Sequence, residues 1–116
     1  MIFVFGSNEA GIHGAGAALD ARREHGAKLG VGRGCTGQSY AIPTKDRNFR
    51  TRKLRDIQAD VEVFLAHAAK CPDETFQVTR LGCGLAGYQD RDIAPMFAGA
   101  PENCVLPKGW REMVGA

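Results

Sequence analysis

The sequence contains no hydrophobic run close to the roughly 20 residues that a membrane-spanning helix requires. Its start also lacks the basic segment, apolar core and small-residue cleavage site of a secretory leader. A formal net charge of +2 is too small to indicate a nucleic-acid partner by itself. We therefore expect a cytoplasmic protein with no membrane partner, and the pattern assigns no oligomeric state.

Metal-ligand spacing is missing as well. The four cysteines form no Cys-x-x-Cys pair, and the three histidines show no spacing typical of a zinc site. A chain of this size with 44% hydrophobic residues does not need disulfides to build a core. We therefore interpret Cys35, Cys71, Cys83 and Cys104 as reduced, and expect neither a metal nor a cofactor.

Glycine is the residue in excess, with 15 of 116 positions against an average of roughly 7%. Residues 6–16, the first glycine loop, follow an apolar β-prone run at residues 2–5 and lead into a helix expected over residues 14–25. In this order, glycines let backbone N–H groups approach an anion, and the helix N-terminus adds unpaired donors and a favourable dipole. The stretch predicts either a phosphate-binding loop or a turn that only packs the helix against the strand.

The rest of the chain alternates strands and helices. The further predicted elements are a strand at residues 38–42 that Pro43 ends, a helix at residues 54–68, a strand at residues 76–81, a helix at residues 90–97 with an aspartate N-cap, and a strand at residues 103–106. Residues 27–37 are expected to form a flexible connection, either a cover for a ligand or a linker, and Trp110 to anchor the C-terminal tail. The alternation predicts one α/β domain over residues 1–116, with three α/β/α layers and a mainly parallel or mixed sheet.

A second glycine loop, residues 82–88, directly follows the predicted strand at residues 76–81. Ligands of such sheets bind at the carboxyl ends of the strands, where both glycine loops would lie. Two glycine-lined turns side by side can hold a diphosphate from two directions. The pair of loops therefore favours phosphate binding more strongly than either loop does alone.

Six of the chain's 15 Lys and Arg residues lie between Lys45 and Arg55. This segment is either an anion-attracting rim beside a phosphate site or a solvated loop. We interpret four of its residues as solvated: Arg50, Arg52, Lys53 and Arg55. Lys45 differs because it directly follows a strand, where side chains reach into the ligand crevice of α/β sheets.

Both glycine loops resemble those of macro domains, the ADP-ribose-binding α/β modules. The resemblance lies in Gly-Ser-Asn at residues 6–8, His-Gly-Ala-Gly-Ala-Ala at residues 13–18 and Leu-Gly-Cys-Gly-Leu-Ala-Gly-Tyr at residues 81–88. Tyr-Ala-Ile-Pro-Thr-Lys at residues 40–45 further resembles the subgroup that contains the terminal ADP-ribose protein glycohydrolase and the DNA ADP-ribosyl glycohydrolase antitoxins. The resemblance spans residues 1–97 and implies a macro-domain-like fold.

This resemblance implies a ligand-binding set drawn from both loops: Asn8, Gly11, His13, Gly14, Ala15, Gly16, Gly82, Cys83, Gly84, Leu85, Ala86, Gly87 and Tyr88. Asn8 is then expected near the distal ribose, residues 14–16 against the diphosphate or that ribose, and Tyr88 stacked on the ribose. In the subgroup, a lysine at the place of Lys45 acts at the anomeric carbon, which makes Lys45 the candidate catalytic residue. A neutral amine there is a nucleophile, whereas an ammonium would only hold the ligand electrostatically.

Two departures from the family pattern bear on the expected ligand. The chain opens on the strand before the first glycine loop, without the segment that carries the family's acidic adenine-binding residue, so a smaller or different nucleotide is an alternative ligand. The protein glycohydrolase also has an acidic residue where this chain has Ala86, whereas the DNA-directed antitoxins have a small one.

Three functional hypotheses follow from these residues. The leading one is a protein that binds ADP-ribose or a related nucleotide diphosphate. The alternative is an ADP-ribosyl glycohydrolase that acts on ADP-ribosylated DNA or protein through Lys45. The third, a nucleic-acid-binding accessory protein that uses the basic segment, ranks lower because few aromatic residues accompany those charges for base stacking.

Overall fold

A five-stranded sheet forms the centre of the fold within residues 1–114, which the computed structural model describes. The strands are β1 (Ile2–Asn8), β2 (Gly34–Thr36), β3 (Ser39–Lys45), β4 (Phe76–Val78) and β5 (Cys104–Val105). They lie in the order β2-β3-β1-β4-β5. All neighbouring pairs are parallel except β2 and β3, which are antiparallel. The sheet is therefore mixed, with four parallel strands that end at the same edge.

Helices cover both faces of this sheet. They are α1 (Gly16–Glu24), α2 (Leu54–Lys70), α3 (Asp90–Ile93) and α4 (Trp110–Met113), with a 3₁₀ turn at Ala94–Phe97 after α3. Successive side chains of a strand point to opposite faces. Val4 of β1 accordingly packs in the core that contains α2, whereas its neighbour Phe5 packs with Ala18 and Ala21 of α1. The predicted three-layer α/β/α architecture is confirmed.

The layer formed by α2 holds the larger core. Ile57, Val61, Phe64 and Ala68 recur at the three-and-four spacing of an amphipathic helix, and all four are fully buried. The Phe64 ring meets the Phe76 ring edge-to-face with centroids 5.4 Å apart. Full burial of each large apolar side chain contributes about 1.5–3 kcal/mol. No helix within residues 1–114 combines the length and the apolar composition that crossing a bilayer demands.

Residues 27–37 are more ordered than their glycine content predicted. Residues 34–36 form β2, and Gly34 pairs with Ala41 of β3. Strand β3 itself continues through Pro43 to Lys45, so the prediction that Pro43 ends the strand was wrong. Pro43 lies beyond Ala41, the last β3 residue that pairs with β2, so its missing N–H interrupts no ladder on that side.

The helix after the second glycine loop also differs from the prediction. Its N-cap is Gln89 rather than an aspartate, and the Asp92 carboxylate accepts a hydrogen bond from the Gln89 backbone N–H at 3.0 Å. The segment is helical only to Ile93 and continues as the 3₁₀ turn, with Pro95 among its first residues. Trp110 is fully buried at the start of α4, as expected for an anchor.

Candidate ligand-binding site

A cavity of about 600 Å³ lies at the carboxyl ends of β1, β3 and β4. Residues at the ends of these strands and residues of both glycine loops surround it. The residues around it are Gly6, Ser7, Asn8, Ile12, Gly14, Ala15, Gly16, Ala17, Ala18, Thr44, Lys45, Phe49, Thr79, Arg80, Leu81, Gly82, Gly84, Leu85 and Ala86. The cavity therefore occupies the position at which α/β sheets bind ligands.

Both glycine loops present bare backbone to this cavity. A Cβ atom built on Gly14 or on Gly84 would meet no other atom within 4 Å, so open space lies beside each. The backbone N–H groups of residues 14–18 and 84–86 have no hydrogen-bond acceptor within residues 1–114. Part of this set is the first turn of α1, whose N–H groups lack helical partners and carry the positive end of the helix dipole. The cavity is therefore bordered by donors suited to an anion.

The Asn8 side chain stabilises the conformation of the first glycine loop. The Asn8 side chain donates to the Ile12 carbonyl oxygen at 2.7 Å and accepts from the Ile12 N–H at 3.0 Å. Asn8 thus lines the cavity while its amide group fixes the turn that follows β1. This amide is already engaged within the protein and gives the loop a defined course.

A bracing segment, residues 27–33, packs against the outside of the same loop. A Cβ on Gly11 would lie 2.3 Å from the Gly30 carbonyl carbon, and one on Gly32 would lie 2.1 Å from the Asn8 carbonyl oxygen. The Ser7 hydroxyl donates a hydrogen bond to the Gly32 carbonyl oxygen. Only glycine permits these close backbone contacts, so the bracing segment and the loop form one packed unit.

Lys45 lies at the end of β3, beside Asn8 in the register of the sheet, and is partly exposed. Its carbonyl oxygen accepts the Glu9 N–H at 3.0 Å, which fixes its backbone against the first glycine loop. Within residues 1–114, its amine takes part in none of the ion pairs. The amine is thus available to a ligand in the cavity.

Arg80 brings a second cation to the cavity and was not singled out by the sequence. It pairs with Asp90 through two hydrogen bonds of 2.8 and 2.9 Å, and the Trp110 indole N–H donates to the same carboxylate at 3.0 Å. Hydrogen bonds from Arg80 and Trp110 lower the pKa of Asp90. Asp90 therefore holds the Arg80 side chain in place.

The cysteine of the second glycine loop is poorly suited to act as a nucleophile. Burial, and next the nearby Asp90 charge, raise the pKa of Cys83 to about 11. Its thiol lies 3.7 Å from the Leu81 carbonyl oxygen. The protonated thiol is a weak nucleophile near neutral pH. Within residues 1–114, no group of three or more His, Cys, Asp or Glu side chains is arranged to hold a metal ion.

Nine of the residues proposed from the resemblance surround the cavity, and five do not. The nine are Asn8, Gly14, Ala15, Gly16, Lys45, Gly82, Gly84, Leu85 and Ala86. The five outside it are Gly11, His13, Cys83, Gly87 and Tyr88. Gly11 faces the bracing segment. Tyr88 donates its hydroxyl hydrogen bond to the Arg52 carbonyl oxygen at 2.6 Å, which holds the second glycine loop against the basic segment.

His13 points into the core instead of the cavity. Its side chain is fully buried, its ring meets Phe5 edge-on with centroids 5.5 Å apart, and neither ring nitrogen has a hydrogen-bond partner within residues 1–114. Burial is the largest influence on the pKa of His13 and lowers it; the Val31 backbone opposes this shift, and the nearby Arg22 charge adds to it. His13 therefore packs behind the first glycine loop as a neutral ring.

One of the four residues between Lys45 and Arg55 that were expected to be solvated, Arg52, is instead largely buried and paired. Arg52 donates to the Asp60 carboxylate and to the Pro43 carbonyl oxygen, each at 2.7 Å. Asp60 also receives two hydrogen bonds from Arg33 of the bracing segment, and Glu9 lies within 4 Å of both arginines. Burial alone would raise the pKa of Asp60, but the hydrogen bonds from Arg33 and Arg52 outweigh it and lower the pKa. This ion-pair cluster joins α2, the bracing segment and the cavity rim.

The proposed site omitted ten of the 19 residues around the cavity, among them Thr44, Phe49, Thr79 and Arg80. Thr44 and Arg80 adjoin recognised positions, so the strand-end argument applied to Lys45 could have found them. The Thr79 hydroxyl donates to the Val4 carbonyl oxygen at 2.8 Å at the end of the sheet. Phe49 lies in the basic segment and carried no sequence signal that distinguished it.

Comparison with known proteins identifies the fold. No protein-family model and no curated protein sequence matches the chain. A solved structure of DarTG from Thermosipho africanus in complex with ADP-ribose is similar to it, with a TM-score of 0.63 and 16% sequence identity. The similarity covers 92% of this chain and 38% of that one, so the chain spans well under half the length of DarTG. At this identity the likeness concerns the fold, which is macro-domain-like.

Proposed function

We propose that this chain binds ADP-ribose or a related nucleotide diphosphate between its two glycine loops. The observation that carries this proposal is a set of backbone N–H groups, at residues 14–18 and 84–86, that have no acceptor within residues 1–114 and belong to residues surrounding one cavity. Donors of this kind, together with the dipole of α1, bind phosphate oxygens. The fold is also shared with a protein whose structure contains ADP-ribose.

The other groups in the cavity suit the same ligand class. Lys45 and Arg80 add positive charge, which lowers the cost of burying a diphosphate. Ile12 and Leu85 add apolar surface against which sugar and base carbons can pack. The volume of about 600 Å³ falls within the range of small-molecule sites. In this proposal, residues 1–116 act as one macro-domain-like domain.

Isothermal titration with ADP-ribose, ADP and NAD tests the proposal. We expect saturable binding of at least one of these ligands, and a Gly84→Val variant that loses it because the added side chain enters the cavity. Ala69→Val, which places the same valine side chain at an exposed position of α2, should bind like the wild type. Absence of binding by the folded wild type at millimolar concentration of all three ligands would overturn the proposal.

A second candidate function is removal of ADP-ribose from modified DNA or protein. It is favoured by the Lys45 amine, which borders the cavity and has no ion-pair partner within residues 1–114. As a nucleophile, this amine would form a bond to the anomeric carbon while the bond to the acceptor breaks, and water would then release ADP-ribose. The small side chain of Ala86 leaves Lys45 as the chemical group in this scheme.

Release of ADP-ribose from modified DNA and modified protein tests this activity. We expect Lys45→Ala and Lys45→Arg both to abolish release, because the guanidinium of arginine keeps the charge but is not a nucleophile. Lys45→Arg should still bind ADP-ribose. Wild-type release rates in the Lys45→Ala variant would exclude the role given to Lys45, and full activity of Lys45→Arg would reduce that role to electrostatics.

A further inference from the structure

Phe49 has an unusual backbone conformation. Its φ is 63°, and within residues 1–114 all the other positive φ angles belong to glycines. A bulky side chain in the left-handed region is strained, because its Cβ crowds the adjoining carbonyl oxygen. Such strain persists only where the surrounding structure enforces it, and it is concentrated at functional sites.

A tight turn enforces the conformation. The Phe49 N–H donates to the Asp46 carbonyl oxygen at 3.1 Å, and the Asp46 N–H donates to the Arg50 carbonyl oxygen at 2.8 Å. The Asp46 carboxylate accepts the N–H groups of Asn48 and Arg50 at 2.8 and 3.0 Å. The last residue of such a turn is normally glycine or asparagine, because these adopt positive φ at low cost. Phenylalanine occupies that position here.

The residues that follow Phe49 form hydrogen bonds with the end of β3 and with the second glycine loop. Lys45 and Thr51 form a β-bridge, and the Arg52 N–H donates to the Thr44 carbonyl oxygen at 2.9 Å. The Thr51 hydroxyl donates to the carbonyl oxygen of Ala86 in the second glycine loop, also at 2.9 Å. The position of Phe49 is therefore fixed relative to Lys45 and to the second glycine loop.

The folded protein makes little use of the Phe49 ring. Phe49 is 49% exposed, and within residues 1–114 it stacks on no other aromatic ring. It is nevertheless the one aromatic residue among those that surround the cavity. A strained backbone thus holds a half-exposed aromatic face at the edge of a site bordered by phosphate-type donors.

We propose that Phe49 forms a stacking subsite for a planar heteroaromatic ring of the ligand. The inference rests on the proposed nucleotide binding and adds the group that this end of the cavity takes. Aromatic rings stack on one another in offset or edge-on arrangements, and nucleobases stack on protein aromatics. The two glycine loops hold the phosphates, and the Phe49 ring receives a base carried by the same molecule.

The test combines ligand binding with the stability of the ligand-free protein. NAD carries a ring at each end and ADP-ribose at one end, so the two ligands distinguish which ring occupies the subsite. Phe49→Leu removes the aromatic face but keeps a side chain at positive φ, Phe49→Gly removes both, and Phe49→Tyr keeps both. Val63→Ala on α2, where Val63 is 62% exposed and does not border the cavity, is the matched control.

We expect Phe49→Leu and Phe49→Gly to weaken NAD binding roughly tenfold, and Phe49→Tyr and Val63→Ala to bind like the wild type. If these two variants lose affinity for ADP-ribose as much as for NAD, the subsite takes adenine. If they lose affinity for NAD alone, it takes nicotinamide. Phe49→Gly should melt at a higher temperature than Phe49→Leu, because glycine relieves the strain.

Two results would overturn the inference: unchanged affinity of Phe49→Leu for every ligand that the wild type binds, or a glycine variant no more stable than the leucine variant. A wild type that binds neither NAD nor ADP-ribose would instead refute the proposed function itself.

Discussion

The glycines between the bracing segment and the first glycine loop differ from the glycines of the cavity in the space around them. Gly11 and Gly32 lie where two backbones touch, and a single added carbon there would overlap a neighbouring atom. Gly14 and Gly84 face open space. The first pair is required for the protein to pack against itself, whereas the second pair leaves the volume of the cavity open. The same residue type therefore has two roles within a few positions of the chain.

The largest effect should come from Gly32→Ala. The new Cβ would lie 2.1 Å from the Asn8 carbonyl oxygen, so the bracing segment must move away from the first glycine loop. We expect a loss of about 3 kcal/mol or more in the free energy of unfolding, since the overlap is with backbone and cannot be relieved by a side-chain rotation. Urea unfolding measures it, and a loss below about 1 kcal/mol would contradict the packed contact.

Asp60→Asn should weaken the contact between α2 and the bracing segment. It removes the carboxylate that accepts hydrogen bonds from both Arg52 and Arg33, and we expect a loss of about 2 kcal/mol in the free energy of unfolding at pH 7. Because the folded-state pKa of Asp60 is lowered, its contribution is present above the unfolded value of about 3.9 and disappears as the pH falls through the folded value.

Unfolding at pH 7 and at pH 3 therefore tests the Asp60 prediction in two ways. The difference between wild type and Asp60→Asn should narrow at pH 3. The exposed Asp20 provides the control, because Asp20→Asn should be nearly neutral at both pH values. A difference that stays constant from pH 7 to pH 3 would show that the ionised carboxylate is not the stabilising group.

Gly84→Val should affect binding rather than folding. We expect its affinity for ADP-ribose to fall by at least about 1.4 kcal/mol, tenfold in Kd, because the side chain enters the ligand volume. Its free energy of unfolding should stay within about 0.5 kcal/mol of the wild type. Calorimetric titration and urea unfolding of the same preparation measure both quantities, and a large loss of stability would place Gly84 with the packed glycines.

The smallest effect on stability is expected for Gly14→Ala. Like Gly32, Gly14 has a φ outside the left-handed region, so the two alanine variants differ mainly in the space around the new methyl group. We expect a change within about 0.5 kcal/mol. Unfolding curves for Gly14→Ala and Gly32→Ala recorded together test the contrast directly, and comparable losses at both positions would remove it.

Local patterns were sufficient to predict the architecture. Each element could be recognised from residues close together in the sequence. Examples are the apolar run at the start of the chain, the amphipathic spacing of α2 and the alternation of strands and helices. Alternation also determines which ends of parallel strands meet, so the sequence alone predicts both glycine loops and Lys45 at one edge of the sheet.

Features that depend on distant contacts could not be predicted. Arg52 looked solvated because its partner Asp60 is on the next helix and Glu9 is far away in sequence. The resemblance assigned His13 to the ligand-binding set. Burial of its ring behind the first glycine loop depends on the fold and leaves no local signal in the sequence. The turn at Phe49 contains no glycine or proline that would indicate a turn in the sequence. The Asp46 side chain stabilises this turn through hydrogen bonds instead.

The indole–carboxylate–guanidinium chain from Trp110 through Asp90 to Arg80 links the end of the fold to the wall of the cavity. A molecule that immobilises Arg80 should also slow amide hydrogen exchange in α4, although α4 itself does not border the cavity. Conversely, shortening the chain ahead of Trp110 would remove one of the three hydrogen bonds to Asp90 and should weaken its hold on Arg80. A truncation that removes Trp110 is therefore expected to affect Arg80 at the cavity as well as the tail.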